Sequence, residues 1–147
     1  MSTIKQLSIF LENKSGRLYE VMEILANANV GIIAATVSDT SEFGILRLIT
    51  SNNEKAHKVL EENNVASNIS DVIVLSCGNQ VGGFYEKIKK LSLSNISIEY
   101  MYCFSFGNDS YVIIKVPNTL KAIDAMQRNG IDSCDIDELL EKMIKFE

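Results

Sequence analysis

Residues 4–11 are dense in apolar side chains, with Leu7, Ile9, Phe10 and Leu11 in one short run, and read as a strand. From Leu18 the spacing changes. Leu18, Val21, Met22 and Leu25 recur at i, i+3, i+4 and i+7, which predicts a helix with one apolar face. Ser15 is read as the cap of that helix, with Gly16 and Arg17 as its first residues, and Asn27-Ala28-Asn29 as its end. Residues 32–38 form a second strand and Asp39-Thr40-Ser41-Glu42 a polar turn. Residues 43–50 form a third strand that alternates, Ile45 and Arg47 on one face, Leu46 and Leu48 on the other. Asn53 is read as the cap of a second helix carrying Ala56, Val59 and Leu60. Asn63-Asn64 closes it, and a short strand follows at 66–70.

The order β-α-β-β-α-β then restarts without a linker. Residues 72–77 are a strand, and Gly82-Gly83 opens a helix with Phe84, Ile88 and Leu91 on one face. Residues 96–104 read as a long strand and Gly107-Asn108-Asp109 as a turn. Residues 111–116 are a strand stopped by Pro117. Thr119 is read as the cap of a helix carrying Leu120, Ile123 and Met126 that ends at Asn129-Gly130. Residues 131–134 read as a brief last strand, and Asp135 with Glu138 as the start of a C-terminal helix. Gly16 and Gly83 are 67 residues apart, as are residues 44–49 and 111–116, whereas Ile32 and Ile96 are 64 apart. This reading makes the first helix of the second half about three residues shorter and the hairpin after it three longer. The expected fold is α+β, two ferredoxin-like βαββαβ repeats with antiparallel sheets and helices on one face. The expected domains are 1–70 and 71–147, the second with the C-terminal helix. Halves this small are expected to pack together.

Composition narrows the function. The chain has 147 residues, 46% hydrophobic, and a formal net charge of −5, which argues against a nucleic-acid binder. Three cysteines lie far apart with one histidine, so no metal or cofactor is expected. The odd cysteine count fits a reducing cytoplasm, and no apolar run is long enough to span a membrane.

The chemistry sits at two strand-to-helix corners, Asn13-Lys14-Ser15-Gly16-Arg17-Leu18 and Asn79-Gln80-Val81-Gly82-Gly83-Phe84. A helix N-terminus offers free backbone N–H groups, which suit a carboxylate or phosphate. Arg17 invites a role as a carboxylate clamp, although a first-turn arginine is usually solvated. His57, Lys87, Lys89 and Lys90 read as surface residues. Tyr100, Tyr102 and Phe104 fit one packed face of a strand.

Residues 10–18, followed by Ala28-Asn29-Val30-Gly31-Ile32 and the 39–47 hairpin, carry a resemblance. So do Gly82-Gly83-Phe84 with residues 95–100. The chain resembles the ACT-domain family, specifically small stand-alone proteins of two tandem ACT domains. The resemblance implies regulatory binding of a small ligand, usually an amino acid, at the interface between ACT repeats. It implies no catalysis of its own. Carried onto this sequence, the ligand-binding positions are Asn13, Lys14, Ser15, Gly16, Arg17 and Leu18, with Ile32 and Ile33 at a strand start. In the second half they are Asn79, Gln80, Val81, Gly82, Gly83 and Phe84, with Asn95 and Ile96. A proline often precedes the turn glycine in the family; Ser15 and Gly82 stand there here, so both turns are expected to be less pre-set. The implied partners are an amino acid, a second copy in a homodimer, and a separate regulated enzyme or regulator.

Three function classes stay open: the amino-acid sensor, an interaction module that binds no small ligand, and an enzyme on the same fold. An acylphosphatase-like enzyme is faintly suggested by residues 77–84. No arginine follows Phe84, so a phosphoryl transition state has no evident charge partner, and the enzyme ranks last.

Overall fold

The computed structural model describes residues 3–12, 15–39 and 43–144. Two compact units emerge, Lys5–Ser70 and Asp71–Glu147, the latter joined by Met1–Ile4. The first contains β1 (Ile4–Glu12), α1 (Arg17–Asn27), β2 (Ile32–Asp39), β3 (Phe43–Thr50) and α2 (Asn53–Glu62). β4 (Ser67–Ser76) begins there and continues into the second, which adds α3 (Gly83–Leu93), β5 (Tyr100–Phe106), β6 (Asp109–Lys115), α4 (Thr119–Arg128) and α5 (Ile136–Ile144).

In the first unit β3 pairs antiparallel with both β1 and β2. Opposed residues share a face, so Leu7 with Leu48 and Ile9 with Leu46 present one apolar surface. Val21 and Leu25 of α1 and Ala56 and Leu60 of α2 complete a core with them. Burying one such leucine is worth about 1.5–3 kcal/mol over leaving it in water. Ile45 and Arg47 point the other way, half-buried, and Arg47 Nη1 donates to Ser38 Oγ at 3.0 Å. In the second unit β6 plays the part of β3, pairing antiparallel with β4 and β5. Ile73, Leu75, Val112 and Ile114 meet Leu91 of α3 and Ala122 and Met126 of α4.

The two units repeat in a single register of 66 residues. Leu7 opposite Leu48 becomes Ile73 opposite Ile114, and Ala35 opposite Leu48 becomes Met101 opposite Ile114. Ala56 becomes Ala122 and Leu60 becomes Met126. Core position Val21 is the exception: its counterpart is the half-buried Lys87. The paired helices have equal length, 11 residues in α1 and α3 and 10 in α2 and α4. This corrects the 67-residue offset and the shortened helix inferred from sequence. Adjacent glycines at 82 and 83 made the alignment ambiguous, and only Gly82 shares the left-handed backbone of Gly16.

All four repeat helices stop in one way. Asn29, Asn64, Asn95 and Gly130 are left-handed, and the next residue's N–H returns to a carbonyl five residues back, as from Val30 to Leu25 and from Ile96 to Leu91. This is a Schellman stop, and an apolar residue follows each left-handed position. It sets Asn29 against Asn95 and Ile32 against Ile98, so the sequence pairing of Ile32 with Ile96 was two residues out.

Three further expectations change. The strands expected at 66–70 and 72–77 are one strand, since no glycine or proline interrupts it; Asp71 instead accepts from Thr3 Oγ1 at 3.2 Å. The strand expected from Ile96 starts at Tyr100, because Asn95 and Ile96 are spent on ending α3. The last strand is a single bridge, Cys134 N–H donating to the Val74 carbonyl at 2.8 Å. α5 matches its signal: Asp135 Oδ1 accepts from the Glu138 N–H at 2.8 Å. Tyr100, Tyr102 and Phe104 share one half-buried face of β5, where Phe104 stacks on Tyr111 at 5.0 Å between centroids.

Candidate functional site

The four repeat helices begin in two different ways. α2 and α4 are capped by asparagine: Asn52 Oδ1 accepts from Lys55 N–H at 3.1 Å, and Asn118 Oδ1 from Lys121 N–H at 3.0 Å. Asn53 and Thr119, the residues expected to cap α2 and α4, are instead the first residues of those helices, and the Asn53 side chain donates to the Lys5 carbonyl at 2.7 Å. α1 and α3 have no side-chain cap. Each starts at a left-handed glycine, Gly16 at φ 85° and Gly82 at φ 89°. Ser15 therefore does not cap α1. The left-handed residue puts the chain into the helix from a direction that Ser15 Oγ does not serve, and Ser15 is exposed. The helical ladder begins only when Glu20 N–H reaches the Gly16 carbonyl and Glu86 N–H the Gly82 carbonyl, each at 3.0 Å. The N–H groups before them form the positive end of the helix dipole, where an anion gains roughly 0.3–1 kcal/mol when exposed.

At the first corner Arg17 Nη1 pairs with Glu20 Oε2 at 2.9 Å, so the guanidinium is engaged on its own helix. Its Nε is buried with no hydrogen-bond partner among the described residues. Leu18 and Tyr19 are exposed, at 41% and 70%. Asn13 and Lys14 lie outside the described residues. Ile32 is exposed and Ile33 half-buried at the start of β2, where Gly31 N–H donates to Ser51 Oγ at 2.8 Å.

The second corner is tied down at both ends. At the helix end a Cβ on Gly83 would lie 2.1 Å from the Cys77 carbonyl oxygen, so the strand passes too close for any side chain there. Gly83 N–H donates to the Gln80 carbonyl at 3.1 Å. At the strand end Gly78, left-handed at φ 67°, donates its N–H to Asp109 Oδ1 at 2.9 Å. The same oxygen accepts from Ser110 N–H at 2.8 Å, and Asp109 Oδ2 accepts from Ser76 Oγ at 2.7 Å. Burial opposes ionisation of Asp109, but the bonds from Ser76, Ser110, Gly78 and Tyr111 outweigh it and hold the carboxyl below its ordinary pKa. Asp109 was read from sequence only as turn chemistry. A carboxylate beginning a strand gives no hint that a loop 31 residues earlier returns to it. Burial pushes the Cys77 thiol above its ordinary pKa.

Gln80, Val81 and Phe84 are exposed around this corner, Phe84 at 39% against 41% for its counterpart Leu18 in the first unit. Asn95 is exposed and left-handed, and Ile96 packs against the core. Asn95 thus has a backbone task in ending α3, and Ile96 is occupied beneath it. Lys89 Nζ sits 5.8 Å from the Tyr85 ring centroid, a solvated cation–π contact. His57 is half-exposed, its Nδ1 2.7 Å from Ser67 Oγ. Among the described residues no group of His, Cys, Asp and Glu could hold a metal, and no helix is long and apolar enough to cross a membrane.

Comparison with known proteins places this geometry. A crystal structure of a protein from Bacteroides thetaiotaomicron is 42% identical, with a TM-score of 0.86, over 93% of this chain and 95% of that one. The ligand-free regulatory subunit of aspartate kinase from Thermus thermophilus shares the fold at 14% identity, with a TM-score of 0.60, over 85% of this chain and 91% of that one. The corresponding subunit from Thermus flavus does so at 13% identity, with a TM-score of 0.58 and the same coverage. No curated protein matches. The profile of the ACT domain pair matches residues 2–144. Two βαββαβ units in one register, each opening its first helix at an uncapped glycine corner, are thus two ACT domains, and the chain belongs to the ACT domain pair family.

Proposed function

We propose that this chain is a sensor that binds a free amino acid and passes its presence to a separate enzyme or regulator. ACT domains are regulatory, ligand-binding modules, which supports the general class. One observation carries the finer reading: α2 and α4 are closed by asparagine side chains, whereas α1 and α3 begin at glycines with no side-chain cap. A carboxylate suits such N–H groups. The neighbouring Leu18 and Phe84 would lie along an apolar side chain. A strand start such as Ile32-Ile33, from whichever ACT unit faces the corner, would close the site, and a homodimer is one way to supply it. The free cysteines Cys77, Cys103 and Cys134 fit a cytoplasmic setting.

A second reading is favoured by the exposed side chains at each corner. Tyr19 is exposed at 70% next to exposed Leu18 in the first unit, and Tyr85 at 63% next to exposed Phe84 in the second, a composition that suits protein contact. Thermal-shift measurements with each of the twenty L-amino acids separate the two. A ligand at ~100 times its Kd adds about 2.7 kcal/mol of stability and raises Tm. If none of the twenty moves Tm, the sensor reading gives way to the interaction module.

A further inference from the structure

The two corners share a backbone and differ in what holds it. In the 66-residue register Ser76, Gly78 and Asp109 correspond to Phe10, Glu12 and Phe43. Glu12 and Phe43 are opposed across β1 and β3; in the second unit Gly78 N–H donates to Asp109 Oδ1, whereas a phenylalanine side chain offers no such acceptor. Phe10 and Phe43 are half-exposed, at 48% and 49%. Among the described residues, position 43 supplies the first corner with no carboxylate like that of Asp109.

We propose that Asp109 is a positioning residue that holds residues 77–82 in their ligand-ready shape, and that the second corner is the one an amino acid fills first. This rests on the sensor reading above. Gly78 N–H at 2.9 Å, Ser110 N–H at 2.8 Å and Ser76 Oγ at 2.7 Å converge on the Asp109 carboxylate, joined by the Tyr111 side chain. With its acceptors satisfied, Asp109 does not itself receive the ligand. It fixes the left-handed Gly78 at one end while the close passage of Cys77 past Gly83 fixes the other. The uncapped N–H groups beyond Gly82 then meet a carboxylate without first being ordered, and affinity rises because that ordering cost is already met by the fold.

Residue-resolved amide exchange on the full chain tests the fastening without any ligand. In Asp109→Asn the Gly78 N–H should exchange roughly tenfold faster, since a hydrogen bond to a charged acceptor is lost. The Leu75 and Ile113 amides should be unchanged, which excludes global unfolding. Ser76→Ala, which removes one donor only, should move Gly78 in the same direction by less. Unchanged Gly78 exchange in a folded Asp109→Asn would overturn the proposal. Each of the twenty L-amino acids is then added in turn. The amides of Phe84 and Tyr85 should respond at lower concentration than those of Leu18 and Tyr19, and Asp109→Asn should abolish that order. A first response at Leu18 and Tyr19 would overturn the choice of corner. If no amino acid moves either corner, the sensor reading fails and the choice of corner with it, while Gly78 exchange still decides whether Asp109 holds the turn.

Discussion

The corners at Gly16 and Gly82 begin equal helices with nearly equal φ, 85° and 89°, and neither helix has a side-chain cap. One step further on they part. Position 17 is an arginine that reaches its own helix; position 83 is a glycine under which the Cys77 carbonyl passes. Behind the first corner stand Phe10 and Phe43, and behind the second Ser76 and Asp109. The two units share one backbone at these corners and differ in the side chains that meet it.

The largest expected effect breaks the pair apart. Gly83→Ala places a Cβ 2.1 Å from the Cys77 oxygen and should destabilise the chain by about 2–3 kcal/mol in urea denaturation. Arg17→Ala, at the matching position, should stay within about 0.5 kcal/mol. A smaller effect should unite the corners. Gly16→Ala and Gly82→Ala meet nothing within 4 Å, so each should cost only the left-handed strain, about 1–2 kcal/mol, and the two should cost alike. If one were neutral, the shared backbone would be in doubt at that corner.

Next come the caps. Asn52→Ala and Asn118→Ala should each lose about 1 kcal/mol, while Ser15→Ala should lose nothing measurable, because Ser15 caps no helix. The smallest effect is a pH dependence. The folded-state pKa of Asp109 lies below its ordinary 3.8, so its contribution is present above that value and is lost as pH falls through the lower folded value. The stability difference between wild type and Asp109→Asn should therefore hold steady at neutral pH and close only below about pH 3.8. A difference that closed nearer pH 6 would point to another group.

Most of the fold was legible because helix and strand periods are strong where the core is strong. Leu7 and Ile9, Leu46 and Leu48, and Leu25 and Leu91 were all placed on elements of the right kind. Helix stops were legible too, since asparagine and glycine at the left-handed position carry a known backbone cost. Register was not. Gly82 and Gly83 are the same letter, and only φ tells which glycine turns the corner and which makes room. Caps were misplaced by one residue at Asn53 and Thr119 and by mechanism at Ser15, because a capping residue type does not reveal the φ and ψ that aim it. Both glycine corners were legible as strand-to-helix turns. Asp109 was missed, since its partners Ser76 and Gly78 are remote in sequence and meet it only through the pairing of β4 with β6.

The most direct measurement is a set of amide correlation spectra of the full chain recorded with each of the twenty L-amino acids. At least one amino acid should shift Phe84 and Tyr85 saturably, with Leu18 and Tyr19 following only at higher concentration, while the capped helix starts at Lys55 and Lys121 stay still. If Lys55 and Lys121 move as much as Phe84, or if all twenty amino acids leave both glycine corners unmoved, the uncapped corners are not a ligand site.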